Sequence, residues 1–294
     1  MRKYNLFSGV LLQKKEIIYP VFDELVRDKI CYYTLKGKER KHPCYKEYKN
    51  SGLYESHAKL DFILSYVKHS PDQRYHGCMF NMTQSKVSEW IHFLLPVLAS
   101  SLIKLKAAPI MGDVFSYDSK DLLDFLSIDV TEIYIPRKTD YKAQEEDYSG
   151  KKKAHTCKYL AGTDQKKEIL FISLGYEGRV HDKTIWDDLS IESNTPILMD
   201  LGFQGADKEN EQIELPHKKP KGKQLNQKQK KENRELSKKR VGIEHAFGHV
   251  KKLKILGEKT RLKKTDIRDL LMFIGVGIYN LGFRMAEKNT GLVM

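Results

Sequence analysis

The chain has 294 residues, and its 52 Lys and Arg residues outnumber its 39 Asp and Glu residues to give a formal net charge of +13. An excess of this size favours a polyanionic partner. The longest apolar run, Leu270 to Ile278, is too short and too interrupted by glycine to cross a membrane, and the N-terminus lacks the apolar core of a secretory signal. The four cysteines form no Cys-x-x-Cys pair, so neither a zinc site nor a disulfide framework is expected, and a reducing cytoplasm fits.

Residues up to about Ala108 have mostly helical patterns, and two helices are predicted over about 70–98. Ser70-Pro71 predicts the N-cap and first residue of a short helix, and Thr83 predicts the N-cap of a second one. The second helix would expose Gln84, Ser85 and Lys86 near its start and bury a stripe made by Val87, Ile91, Leu94, Leu95 and Leu98. This is the layout of a helix-turn-helix, although any helical hairpin can imitate it. Pro96 is expected to kink or end the second helix.

Two acids accompany strand patterns in the next part of the chain. The β-branched run from Ser127 to Ile135 predicts a buried strand that contains Asp129. The apolar run 197–199 leads into Asp200, and Gly202 and Gly205 follow it, so Asp200 should stand at the carboxyl edge of a strand. Strands predicted over 155–162 and 168–174 would form an antiparallel meander with the Asp129 strand, and a short helix is predicted over 119–125.

A third acid, Glu244, lies in a helical pattern that runs from about 237 to 256. Arg240 precedes Glu244 by four residues and Lys251 follows it by seven, so the three side chains would share one helix face. Such a face could hold a metal ion and contact phosphates. The alternative is that Arg240 and Lys251 are solvated surface cations.

Basic residues are concentrated before and after Glu244, between His217 and Lys264. Phosphate neutralisation by such a run would give affinity for nucleic acid of any sequence, and this affinity would weaken steeply with salt. A solvated loop or helix face is the plainer interpretation, above all for 218–231. An isolated Asp in a strand, or an isolated Glu on a helix, is likewise usually a surface or salt-bridged residue.

Motifs around the three acids resemble those of one family over nearly the whole chain. They are Tyr148-Ser149-Gly150-Lys151-Lys152 with His155, Gly178-Arg179-Val180-His181-Asp182, Asp200-Leu201-Gly202-Phe203-Gln204-Gly205, and Asn233 through Glu244. In this order they resemble bacterial insertion-sequence transposases of the DDE superfamily, in the insertion-sequence-five group related to Harbinger-type elements. Arg240, Glu244 and Lys251 also fit the Arg-x3-Glu-x6-Lys part of a wider transposase signature. Ser237 stands where that signature usually has Tyr, and Val130 replaces a frequent Gly after the first acid.

The resemblance implies an α/β (α+β) protein. A helical DNA-binding domain with the helix-turn-helix would cover 1–108, and a ribonuclease-H-like catalytic domain with a mixed sheet and flanking helices would cover 109–294. Asp129, Asp200 and Glu244 would be the catalytic residues and would hold divalent metal, Mg²⁺ or alternatively Mn²⁺, with two ions per site. The residues implied to contact DNA are Gln84, Ser85, Lys86, Arg240 and Lys251. His181 and Asp182 either cap the helix that follows or help to position metal or substrate.

The implied reaction is metal-dependent cleavage at the ends of a mobile element, followed by strand transfer into target DNA. The implied partners are the terminal inverted repeats and the target DNA, bound by a homodimer or higher oligomer in the bacterial cytoplasm, at the nucleoid and not at a membrane. Two alternatives remain open at this point. One is a DNA-binding regulator that has lost catalysis, and the other is a plain metal-dependent DNA nuclease.

Overall fold

Contacts between residues divide the protein into two compact units. The computed structural model describes residues 10–45, 47, 52–116 and 123–290. The first unit holds the described residues up to Ala108, Lys251–Glu258, and those from Leu270 onward. The second unit holds Pro109–Val250 and Lys259–Asp269. The predicted boundary near residue 108 is therefore also a boundary between units, but 251–258 and the C-terminal part of the chain cluster with the first unit and not with the second. The division of DNA binding and catalysis between two domains stays a prediction.

Along the described residues four helices come first, strands with two intervening helices follow, and three helices come last. The helices are α1 (Val10–Tyr32), α2 (Ser56–His69), α3 (Gln73–Met79), α4 (Gln84–Lys104), α5 (Tyr141–Asp147), α6 (Asp182–Asp187), α7 (Gln227–Val250), α8 (Lys254–Gly257) and α9 (Thr265–Thr290). The strands are β1 (Ile110–Met111), β2 (Val114–Ser116), β3 (Leu126–Tyr134), β4 (Tyr148–Ser149), β5 (Ala154–Thr163), β6 (Ile169–Ile172), β7 (Tyr176–Glu177), β8 (Ser190–Glu192), β9 (Ile197–Leu198) and β10 (Ile213–Glu214). Two single-turn 3-10 helices, Leu201–Phe203 and Ala206–Lys208, follow β9.

The helices of the first unit enclose an apolar core. α1 packs against α2 and α4, and α2 also packs against α8. Apolar side chains recur every three or four residues on these helices, which places them on one face. The buried set on α1 and α2 includes Ile18, Phe22, Val26, Leu60, Ile63, Leu64 and Val67. α4 is the one helix among the described residues that is long and apolar enough to cross a membrane, but 61% of its apolar window is buried inside the protein, as in a core helix.

Helices α3 and α4 pack together as the predicted pair. Thr83 caps α4, since its hydroxyl accepts the N–H of Lys86 at 3.4 Å, and the predicted apolar stripe of α4 is fully buried. The first cap was predicted wrongly. Ser70 ends α2 in the left-handed region at φ 48°, and Asp72 caps α3 by accepting the N–H of Arg74. α4 continues through Pro96 to Lys104, so that proline does not end it.

A mixed sheet forms the centre of the second unit. Its strand order is β1-β6-β5-β3-β9-β10, and β4 and β7 also pair with β5. β3 runs antiparallel to β5, which runs antiparallel to β6, so the predicted meander is confirmed. β9 lies parallel to β3 on its other side. Of the helix predicted over 119–125, residues 119–122 lie outside the described part of the chain, and 123–125 are not helical.

The two faces of this sheet have different neighbours. An apolar cluster that includes Ile128 and Leu160 of the sheet with Ile185 and Trp186 of α6 forms a buried core on one face. Residues alternate between faces along a strand, so Asp129, next to Ile128, points to the opposite face. α7 packs against β3. The protein thus has a mixed α/β structure, which is consistent with a ribonuclease-H-like fold.

Candidate active site

Asp129 lies in the middle of β3, paired with Ala161 of β5. Its Oδ1 accepts the N–H of Val130 at 2.8 Å. The pKa of Asp129 is raised from 3.8 to about 6, chiefly by burial. The Val130 N–H and the Arg240 guanidinium oppose this shift, whereas the charges of Asp200 and Glu244 add to it. The two other predicted acids and the predicted arginine therefore act electrostatically on Asp129.

Asp200 lies beside Asp129 because of the parallel pairing of β3 with β9. The last registered pair is Ser127 with Leu198. Two residues beyond this pair stand Asp129, still within β3, and Asp200, which follows the end of β9. Aligned residues of neighbouring parallel strands point to the same face, so the register directs both carboxylates to one face of the sheet, at the carboxyl end of β9. This is the position that the sequence pattern predicted for Asp200.

The turn after β9 fixes the direction of the Asp200 side chain. Asp200 is the N-cap of the 3-10 helix Leu201–Phe203, and its Oδ1 accepts the N–H of Gly202 at 2.7 Å. A Cβ atom added to Gly202 would lie 2.8 Å from that oxygen, closer than Cβ contacts come in practice. The motif therefore needs glycine at 202 to let the carboxylate fold back over its own turn.

Glu244 is supplied by α7, the helix that packs against β3. This helix buries Ile243, Ala246 and Phe247 and leaves Glu244 exposed beside them. Arg240 lies one turn earlier and is half-buried. Its Nε is buried and makes no hydrogen bond within the described part of the protein. The terminal N–H groups of the same guanidinium could donate to a phosphate oxygen.

The three acids lie near one another but do not form a complete metal-binding site. No three His, Cys, Asp or Glu side chains of the described residues are placed so that they could hold one metal ion together. The donor set nevertheless fits a hard divalent cation, because all three groups are carboxylates and one of them is held in a buried position where a nearby positive charge would favour its ionised form.

The helix that carries Glu244 differs from the predicted one. It begins at Gln227, ten residues before the predicted start, and ends at Val250. A break and the short helix α8 follow it. Lys251 therefore lies just beyond the last turn of α7, and the expectation that one continuous helix face carries Lys251 with Glu244 is wrong. A contact between Lys251 and DNA stays a prediction.

Comparison with known proteins identifies the family of this chain. A family model described as DDE superfamily endonuclease matches residues 128–280. A probable transposase for the insertion sequence element IS702 of Microchaete diplosiphon is 31% identical over 228 residues, which cover 75% of this chain and 79% of that protein. The chain belongs to the DDE superfamily of insertion-sequence transposases. No solved structure matches it.

The family motif that ends in His181 and Asp182 has a structural role in this transposase. His181 is the N-cap of α6, since its Nδ1 accepts the N–H of Lys183 at 3.3 Å. Asp182 is the first residue of α6 and forms an ion pair of 2.8 Å with Lys158. The capping interpretation is therefore confirmed for His181. A direct part of either residue in catalysis stays a prediction.

Lys158 is the neighbour that the sequence analysis missed. It lies in β5 within Thr156-Cys157-Lys158-Tyr159-Leu160 and is 9% exposed. A lysine inside an apolar strand was a usable signal, because such a residue is rarely buried without a partner. Its partner, however, is 24 residues away in sequence and could not be identified from the pattern of the strand.

The predicted DNA-contacting residues of α4 lie where they were expected. Gln84, Ser85 and Lys86 are all exposed in its first turn. Two of them already have partners, because the Gln84 amide donates to Gln73 at 2.7 Å and Lys86 pairs with Glu89 at 2.6 Å. DNA would have to compete with these contacts, which are solvent-exposed and therefore weak. Recognition of DNA by α4 stays a prediction.

Proposed function

We propose that this protein is an active DNA transposase that cleaves at the ends of its element and transfers the freed 3′ ends into target DNA. The observation that carries the proposal is the register of β3 and β9, which puts Asp129 beside Asp200 on the face where α7 supplies Glu244. Three carboxylates from separate segments interact electrostatically there, and carboxylates are the ligands that hard divalent metal ions prefer in phosphoryl transfer.

Asp129, Asp200 and Glu244 would hold divalent metal, Mg²⁺ or Mn²⁺, with two ions per site. Bound there, the ions supply Lewis-acid stabilisation of both the attacking and the leaving oxygen. The protein side chains would position the metal ions and the DNA for this reaction. The sheet fixes the two aspartates relative to each other, α7 brings the glutamate, and the half-buried Arg240 can donate to a phosphate oxygen through the terminal N–H groups of its guanidinium.

DNA would be held in addition by cations on the outer side of α7. Lys230, Arg234 and Lys238 recur every four residues on the side opposite the buried Ile243 and Phe247. They form no ion pair with any described residue. Glu232, an acid on the same half of the helix, pairs with His217 at 2.7 Å and not with these three cations. A row of unpaired cations fits the phosphate backbone of a duplex and carries no sequence information.

Discrimination of the terminal inverted repeats would come from the first turn of α4, at Gln84, Ser85 and Lys86, in the manner of a recognition helix. Lys251 would add a further phosphate contact. Two active sites would allow both ends of one element to be cut together, so we expect a homodimer or higher oligomer on DNA, acting in the cytoplasm at the bacterial nucleoid.

Strand joining on DNA that carries the element ends tests the proposal. Asp129→Ala, Asp200→Ala and Glu244→Ala should each abolish cleavage and joining in Mg²⁺ while DNA binding persists. Glu235→Ala is the matched control, because Glu235 is an exposed acid on the same helix, and it should keep wild-type activity. Cleavage without joining by the wild type would indicate a nuclease. Binding without cleavage would indicate a regulator, and full activity of any of the three alanine variants would remove that acid from the site.

A further inference from the structure

A buried lysine connects the centre of the sheet to the turn that carries Asp200. Lys158 lies on β5, opposite Glu132 of β3 and Tyr176 of β7. Its ammonium group donates to the carbonyl of Val180 at 2.7 Å and to Oδ1 of Asp182 at 2.8 Å. Burial of an ammonium group costs free energy unless the group is paired. These bonds therefore hold the segment 180–182 firmly on the sheet.

The same segment is pressed against β5 at a second point. A Cβ atom on Gly178 would lie 2.4 Å from Oγ1 of Thr156 and 2.5 Å from the carbonyl oxygen of Asp147. Only glycine fits so close an approach. Gly178 and Lys158 together therefore fix the start of α6, and with it the direction of the Asp182 side chain.

The second oxygen of Asp182 faces the Asp200 turn. A Cβ atom added to Gly202 would lie 3.3 Å from Oδ2 of Asp182 and 2.8 Å from Oδ1 of Asp200. The two carboxylates thus flank the same glycine. α6 also packs against the 3-10 helix that Asp200 caps. Asp182 therefore connects the sheet to the turn that positions the Asp200 carboxylate.

We propose that Lys158 is a positioning residue of the active site. It acts through Asp182, whose ion pair with Lys158 fixes the place of a negative charge beside Asp200 and supports the turn that aims the Asp200 carboxylate. This inference rests on the proposed function, because it assigns Lys158 to the preparation of a metal ligand. Lys158 itself contacts neither DNA nor metal in this role.

The test measures Mn²⁺ binding to the full chain without DNA, by the electron paramagnetic resonance signal of the free ion. Lys158→Met keeps the length of the side chain and removes its charge, and Asp182→Asn removes the acceptor charge at a partly exposed position. Each should weaken Mn²⁺ binding about 10- to 100-fold, the range found when a residue that orients a metal ligand is lost. The double variant should lose no more than the single ones, because the two residues act as a unit.

Lys15→Met is the matched control. Lys15 pairs with Asp61 of the first unit at 2.6 Å, and the two side chains are about as exposed as those of Lys158 and Asp182. Its loss should leave Mn²⁺ affinity unchanged. If Lys158→Met fails to fold, Asp182→Asn decides alone. Wild-type affinity in the folded variants, or losses that multiply in the double variant, would overturn the inference. A wild-type protein that binds no Mn²⁺ would instead refute the proposed function, and the inference with it.

Discussion

The ionised carboxyl group of Asp129 is expected to lower the stability of the metal-free protein at neutral pH. Its pKa is raised from 3.8 to about 6, chiefly by burial. One pKa unit corresponds to about 1.4 kcal/mol, so ionisation of this group in the folded state costs roughly 2–3 kcal/mol relative to the unfolded chain. Asp129→Asn keeps the shape of the side chain and removes the charge. It should raise the free energy of unfolding by up to this amount at about pH 8.

The sign of the pH dependence follows from proton binding. Between pH 3.8 and about 6, the folded protein binds more protons at Asp129 than the unfolded chain does. The stability of the wild type relative to Asp129→Asn therefore falls as pH rises through this window. The gain from Asp129→Asn should be complete above about pH 6 and should vanish near about pH 4.

Urea unfolding of both proteins in EDTA, over a series of pH values, measures this gain. Glu235→Gln, at an exposed acid, should show no comparable gain and serves as the control. An Asp129→Asn variant that is less stable than the wild type at about pH 8, or a gain that does not change with pH, would refute the reasoning. The same ionisation is needed to hold metal, so cleavage by the wild type should fall as pH drops below about 6.

Three further predictions concern neighbouring residues. Gly202→Ala should leave the fold intact but displace the Asp200 carboxylate, so single-turnover cleavage should fall at least about tenfold while the melting temperature changes little; a wild-type rate would mean that the turn adapts. Arg240→Lys should slow cleavage at saturating DNA because the planar fork is lost, and an unchanged rate would class Arg240 as a surface cation. Gln84→Ala with Lys86→Ala should reduce discrimination between element ends and random DNA at fixed salt by about 1–3 kcal/mol per lost base contact, and an unchanged ratio would make α4 a packing element.

Local sequence patterns were sufficient to predict the strands that carry or precede Asp129 and Asp200. The β-branched run around Asp129 and the glycines after Asp200 each specify a conformation through nearby residues alone, and both strands were predicted nearly to their ends. The side-by-side placement of the two acids has a different origin. It depends on the pairing of Ser127 with Leu198 across 71 residues of chain, which no local pattern encodes, and only the family motifs indicated it.

The helix around Glu244 was predicted less well, for physical reasons that differ at its two ends. Its first ten residues have no apolar stripe, so periodicity gives no sign of the helix, although lysine, glutamine and glutamate are good helix formers. At the other end the chain turns back on itself. A Cβ atom on Gly257 would lie 2.2 Å from the carbonyl oxygen of Lys251, so this close approach depends on a glycine that lies beyond the break. The apolar stripe of 253–256 continues across the break and suggested one helix where there are two elements.

The properties of α7 give the proposed mechanism a physical basis for linking DNA binding to catalysis. Its C-terminal half is fixed to the sheet by Ile243, Ala246 and Phe247 and carries Glu244, whereas its N-terminal half is exposed and carries the cations at 230, 234 and 238. A helix keeps a fixed rise per residue because its backbone hydrogen bonds resist bending and stretching. Phosphates bound at the exposed half would therefore lie at a set distance along the helix from Glu244. Since the sheet holds Asp129 and Asp200, and the buried side chains of α7 hold Glu244 against it, the register of the scissile phosphate with the three acids would depend on which of these cations the phosphates contact.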